Sequence, residues 1–104
     1  MPPRTRLALE MIDGCVMVSG VLDMQSGPEM SALLLAVASA QRLELDLSEV
    51  TFMDCGGLHS LLEVQRLVPS MRIVAVSPRA ERVLTLTDTH RLLVGADARV
   101  GAKA

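Results

Sequence analysis

A recurring switch of hydrophobic period constrains this chain more than any other feature. Leu43, Leu45 and Leu47 alternate with Glu44 and Asp46, the period-two pattern of a strand. After a break at Cys55–Gly57 the spacing becomes helical. Leu58, Leu61, Leu62, Val64 and Val68 offer an apolar side for burial until Pro69 stops the run. Met71–Val76 is nearly continuous apolar sequence, as expected of a strand covered on both faces. Arg79–Thr87 turns helical again, with Ala80, Val83, Leu84 and Leu86 apolar. Strand–helix–strand units of this spacing close as right-handed crossovers between parallel strands.

The first part of the chain supplies an antiparallel start. Leu7–Ile12 and Cys15–Ser19 are short apolar-rich runs separated by Asp13-Gly14, a pair suited to the positive φ angles of a tight hairpin. Gly20 closes the second strand, and Val21-Leu22-Asp23 leads into a loop. Ser26-Gly27-Pro28 opens a helix, where a missing N–H costs nothing. Met30, Leu33, Leu34, Val37 and Ala38 then mark its buried face, to about Ala40. Leu92–Val94 reads as a last short strand and Gly95–Ala104 as a frayed tail. The expected fold is α/β, a mixed sheet of four to five strands with about three helices. It forms a single domain over 1–104 with its core at about 7–94.

Composition narrows the function. Half of the residues are hydrophobic, so a chain of 104 residues can build a core without disulfides or metal. Phe52 is the sole aromatic residue, the net charge is -2, and Lys and Arg are scattered. Nucleic-acid binding, which wants a basic stripe or stacking aromatics, is therefore not expected. The longest apolar run, Ala32–Ala38, is far short of the ~20 residues of a membrane helix, and the N-terminus lacks a signal-peptide pattern. Two cysteines, Cys15 and Cys55, make neither a disulfide framework nor a zinc site. A cytoplasmic location follows as the simplest expectation.

The segment Leu45-Asp46-Leu47-Ser48-Glu49-Val50-Thr51-Phe52-Met53-Asp54-Cys55-Gly56-Gly57-Leu58 carries the most information. Val50 and Phe52 are expected to anchor a loop to the core. Asp54 would stand before a helix, where its carboxylate meets free N–H groups and the positive end of the helix dipole. Gly56 and Gly57 permit a tight turn. A plain N-cap role for Asp54 is as good a reading of these residues as a binding role.

This segment closely resembles the STAS domain signature, in which an Asp-Leu-Ser strand end precedes Val-Thr-Phe-aliphatic-Asp-Ser-Ser-Gly-Leu. Gly20-Val21-Leu22-Asp23 and Ser77-Pro78 with Arg82–Thr87 resemble further marks of the family, so the resemblance spans roughly Leu7 to Val94. It implies a STAS fold of the anti-sigma factor antagonist type: a cytoplasmic bacterial switch in transcription regulation that acts by binding, without catalysis or cofactor. The implied partner is an anti-sigma factor of the GHKL serine-kinase type, with a homodimer left open. Asp23, Asp54, Cys55, Gly56, Gly57 and Leu58 would form the contact, together with His59, Ser60 and Glu63 as outward-facing positions of the helix. In the family, the residue before the Gly-Leu pair is a phosphorylated Ser or Thr, whose phosphate adds about -2 charge and breaks the complex. Here that residue is Gly56, which has no hydroxyl. Phosphate transfer onto this loop is therefore not expected, and label on Ser60, Thr51 or Ser48 would refute the expectation. The alternative from another class is a STAS subunit of a phospholipid-transport ABC complex or a stress-sensing scaffold.

Competing chemistries have plainer explanations. A thiol at a helix start can be reactive, and His59 is spaced to face Cys55 across one turn. A structural cysteine is the better account, because a thiol hydrolase also needs a pocket and oxyanion donors. Cys15 and Cys55 are expected at opposite ends of the sheet, too far apart for a disulfide. Gly56-Gly57 lacks the spacing and Lys of a phosphate-binding loop. His90 reads as a surface residue, and Met17, Met30 and Met71 as core filling.

Overall fold

The computed structural model describes residues 7–37, 43–87 and 93–100. Its elements run β1 (Ala8–Ile12), β2 (Cys15–Leu22), α1 (Gly27–Val37), β3 (Leu43–Met53), α2 (Cys55–Leu67), β4 (Met71–Val76), α3 (Pro78–Leu86) and β5 (Val94–Val100). The fold is α/β, as the alternating periods predict.

β1 and β2 form the expected hairpin. Ile12 pairs with Cys15 across the turn, and Asp13 and Gly14 take φ values of 52° and 79°. Aspartate tolerates this left-handed region and glycine enters it freely, which explains the choice of pair. β2, β3, β4 and β5 are parallel neighbours, giving a five-stranded mixed sheet in the order β1-β2-β3-β4-β5. Crossovers of the usual right hand that step the same way put their helices on one side of the sheet. Burial agrees. Val16, Val18 and Leu22 of β2 and Leu43, Leu45 and Leu47 of β3 are buried, while the residues between them are at most half-buried or are glycine. Met30 and Leu34, Leu61 and Val64, and Ala80 and Leu84 bring the three helices into that same core.

Several local expectations need correction. β4 is covered on one face only: Arg72 is exposed and Val74 half-buried, and among the described residues no helix packs on the other side. Met30 and Met71 are buried, but Met17 is only half-buried on the uncovered face. α1 buries a narrower stripe than its apolar spacing suggests. Met30 and Leu34 are fully buried, whereas Leu33 and Val37 are 46% and 47% exposed, since α1 rests chiefly on α2. Ala38, Ala40 and His90 lie outside the described residues. The segment read as a frayed tail pairs with β4 from Val94 to Val100. Backbone hydrogen bonding makes this strand; Gly95-Ala96-Asp97-Ala98-Arg99 has no periodic apolar signal to reveal it.

β3 is the element that shapes the end of the molecule where Asp54 lies. Between Asp46 and Phe52 it carries two one-residue irregularities relative to β2. Each extra residue shifts side-chain parity, so burial passes from Leu47 to Val50 and then to Met53. At the first irregularity, Asp46 Oδ1 accepts the Ser48 N–H at 2.8 Å and its hydroxyl at 2.6 Å, giving that amide a partner. The second turns Phe52 outward. Val50 anchors this stretch as expected, at 2% exposure, but Phe52 does not: it is 39% exposed and Met53 takes the core position.

Candidate functional site

The parallel strands β2 and β3 end side by side, with Leu22 paired to Met53. Asp23 and Asp54 follow those two residues and head the next helices. Asp54 is the N-cap of α2: its extended backbone (φ -124°, ψ -174°) lets Oδ1 accept the Gly57 N–H at 2.9 Å. Its own N–H donates to Leu22 O at 3.3 Å, tying the cap to β2. Asp23 acts similarly ahead of α1. Its Oδ1 accepts from Gln25 N at 3.0 Å and from Ser26 N at 2.9 Å. The Ser26 hydroxyl returns the link, accepting from Asp23 N at 3.0 Å and donating to Val21 O at 2.8 Å.

The break at Cys55–Gly57 is therefore the first turn of α2, three residues earlier than the apolar spacing suggests. Close approach dictates the glycines. A Cβ on Gly57 would lie 2.3 Å from Leu22 O, and one on Gly56 would lie 2.7 Å from Met24 Cα and 2.9 Å from Met24 N. A Cβ on Gly27, at the head of α1, would meet Ser60 Oγ at 2.3 Å. The two helix heads and the loop between Leu22 and Gly27 are thus packed backbone to backbone.

This packing divides the expected contact residues. Cys55 and His59 are exposed, Glu63 is half-exposed, and Asp23 and Asp54 are half-buried. Glu63 pairs with Arg66 at 3.0 Å and lies 4.0 Å from His59 Nε2. Gly57 and Leu58 are buried. Ser60 is not outward-facing: it is 7% exposed, set against Gly27 on α1, with its hydroxyl 3.4 Å from Gly56 O. Cys15 and Cys55 are both free thiols. Met24 was not legible as part of this surface, yet at 73% it is among the most exposed large apolar side chains. The available signal was its place as the one apolar residue in Asp23-Met24-Gln25-Ser26. Among the described residues, no cluster of His, Cys, Asp or Glu is arranged to hold a metal, and no helix is long and apolar enough to cross a membrane.

Chemically, this end of the molecule offers two carboxylates in fixed positions, a thiol, an imidazole and an exposed thioether.

Comparison with known proteins matches this fold. An assigned anti-sigma factor antagonist from Thermotoga maritima, TM1081, superposes with a TM-score of 0.64 at 17% identity, covering 90% of this chain and 84% of that one. The unphosphorylated form of the anti-sigma factor antagonist SpoIIAA superposes with a TM-score of 0.59 at 20% identity, covering 88% of each chain. No curated protein matches the sequence. The family model described as "Mlab, STAS domain" matches residues 6–95, which hold the first four strands and all three helices, and the chain belongs to the STAS domain family.

Proposed function

We propose that the chain is an anti-sigma factor antagonist-like regulator that binds an anti-sigma partner of the GHKL kinase type. The observation carrying this reading is the convergence of the two capped helix heads. Asp23 and Asp54 are locked by their backbone hydrogen bonds, and exposed Met24, Cys55 and His59 surround them. A surface fixed before binding loses little conformational freedom on association. Asp23, Met24, Asp54, Cys55, His59 and Glu63 are the groups that meet the partner. Gly56, Gly57, Leu58 and Ser60 serve as the frame beneath them. The protein acts by binding, in the cytoplasm, and needs no cofactor. With Gly56 at the acceptor position, release from the partner does not proceed by phosphorylation of this loop.

A second reading is favoured by the matching family model, which is described as Mlab. In it the chain is a STAS subunit of a phospholipid-transport ABC complex, and a missing phosphoacceptor is unsurprising.

The test is affinity capture from the native lysate with wild-type and Asp54→Asn baits, with bound proteins identified by mass spectrometry. Asparagine keeps the cap oxygen but removes the charge. Recovery of a kinase-fold anti-sigma factor that the Asp54→Asn bait loses supports the antagonist reading. Recovery of a transporter ATPase moves the protein to the second reading. Recovery of neither removes both.

A further inference from the structure

Beside the Asp54 loop, Phe52, Met53, Pro78, Arg79, Arg82 and Val83 line an open groove of about 500 Å³ between the end of β3 and the start of α3. Met53 is its buried floor, and Phe52, turned out by the second irregularity in β3, forms an exposed apolar wall. Arg79 and Arg82 are both exposed and stand one helical turn apart on α3. Neither makes a hydrogen bond or ion pair to any described residue, in contrast to Arg66, which Glu63 holds. Arg79 stands in the first turn of α3, where the helix dipole repels a cation, together with the acidic Glu81, and Arg82 follows in the second turn. A chain of net charge -2 thus exposes two guanidinium groups, unpaired with any described residue, on the lining of the same groove as an exposed aromatic ring.

We infer that this groove receives an acidic segment of a partner protein, anchored by an aliphatic side chain. The anchor packs on Phe52 and Met53, and two carboxylates about one helical turn apart pair with Arg79 and Arg82. Guanidinium groups bind carboxylates in bidentate geometry, and the spacing along α3 selects acids at matching intervals. A small metabolite fits less well. Small-ligand sites enclose most of the ligand and direct buried polar groups at it, whereas this groove is open and its charged groups lie in solvent. The inference rests on reading this end of the molecule as a protein-binding surface, which it extends from α2 to α3.

The experiment is a two-dimensional amide NMR titration of the full chain with a blocked twelve-residue peptide. The peptide is built of leucine and glutamate, with glutamates spaced one helical turn apart. A matched peptide with lysine for glutamate and inorganic pyrophosphate are the comparison probes. The expected result is resonance shifts confined to Phe52, Met53 and Arg79–Val83 with the acidic peptide and absent with the lysine peptide. Affinity should fall at least tenfold in the Arg79→Gln/Arg82→Gln variant, whose exposed changes leave the fold intact, and also in Phe52→Ala. Four results would overturn the inference: no shifts at millimolar peptide, equal response to the lysine peptide, unchanged affinity in the variants, or shifts elsewhere on the surface. Tighter binding of pyrophosphate to the same residues would overturn it too, assigning the groove to phosphate ligands. The peptide reads the groove alone, so its outcome is separable from whether lysate capture finds an anti-sigma kinase at the Asp54 loop.

Discussion

Restoring a hydroxyl at position 56 is the obvious route to a phosphorylatable version of this loop, and the packing opposes it. A Cβ on Gly56 falls 2.5 Å from Met24 Cβ, 2.7 Å from Met24 Cα and 2.9 Å from Met24 N. Carbon atoms ordinarily rest about 3.5–4.0 Å apart, so the Met24 backbone must retreat by roughly 1 Å. It cannot do so freely, because Asp23 Oδ1 holds Gln25 N and Ser26 N at 3.0 and 2.9 Å and Gly27 N donates to Asp23 O at 2.7 Å. Overpacking of this kind costs about 1–3 kcal/mol. Replacing glycine inside a helix returns up to about 1 kcal/mol. The net expectation for Gly56→Ala, which isolates the Cβ, is a loss of about 1–2 kcal/mol, or roughly 5–15 °C in Tm for a domain of this size. Gly56→Ser should lose at least as much. Urea denaturation monitored by far-ultraviolet circular dichroism measures the loss. Amide shifts at Gln25, Ser26 and Gly27 report whether the loop moves. A Gly56→Ala protein as stable as wild type, with those amides unmoved, would refute the steric reasoning. If the reasoning holds, regained phosphorylation in Gly56→Ser requires displacement of the Met24 loop as well as a hydroxyl.

Other outcomes can be checked by the same means. Gly57→Ala should cost more than Gly56→Ala, about 3 kcal/mol or above, because its Cβ meets the Leu22 carbonyl at 2.3 Å with strand β2 behind it. Asp54→Ala should lose about 1 kcal/mol through the α2 cap. Asp54→Asn should stay within a few tenths of wild type in denaturation, so a partner-binding defect in that variant would report on charge and not on folding. Leu61→Ala, at a position with 0% exposure, should lose about 2–5 kcal/mol by calorimetry or denaturation. Under native conditions iodoacetamide should label exposed Cys55 faster than half-buried Cys15, as read by peptide mass mapping. Equal rates would contradict the burial described for the two thiols.

The sequence was most legible where structure is local. Asp13-Gly14 declares its hairpin because the turn needs those two backbones and little else. Asp54 declares its cap because the free N–H groups of α2 lie within its reach. The three helices and their order follow from period alone. Legibility failed where the answer depends on a neighbouring strand or helix. Phe52 looked like a core anchor because the stretch after Leu47 was read as a loop pinned by its apolar residues Val50 and Phe52. Its outward turn follows from two extra residues that exist only relative to β2. Ser60 looked like a surface residue until the approach of α1 through Gly27 enclosed it. β5 has no apolar periodicity and is a strand only because β4 offers an edge. Met24 and the Arg79–Arg82 pair were missed for a related reason: an exposed apolar or unpaired charged side chain is visible only once its surroundings are in place.

The match between sheet order and chain order also bears on how the molecule is made. As the chain emerges during synthesis, β2 has β1 to pair with at once, and each later strand meets a neighbour already formed. No strand must wait for a distant partner or insert between two others, which keeps the entropy of loop closure small at each step. The slowest-arriving element is then β5, the outermost strand. The first three strands and α2 enclose the Leu22–Gly57 contact long before it emerges. The loops that carry Asp23 and Asp54 can therefore be set in place before β5 has emerged.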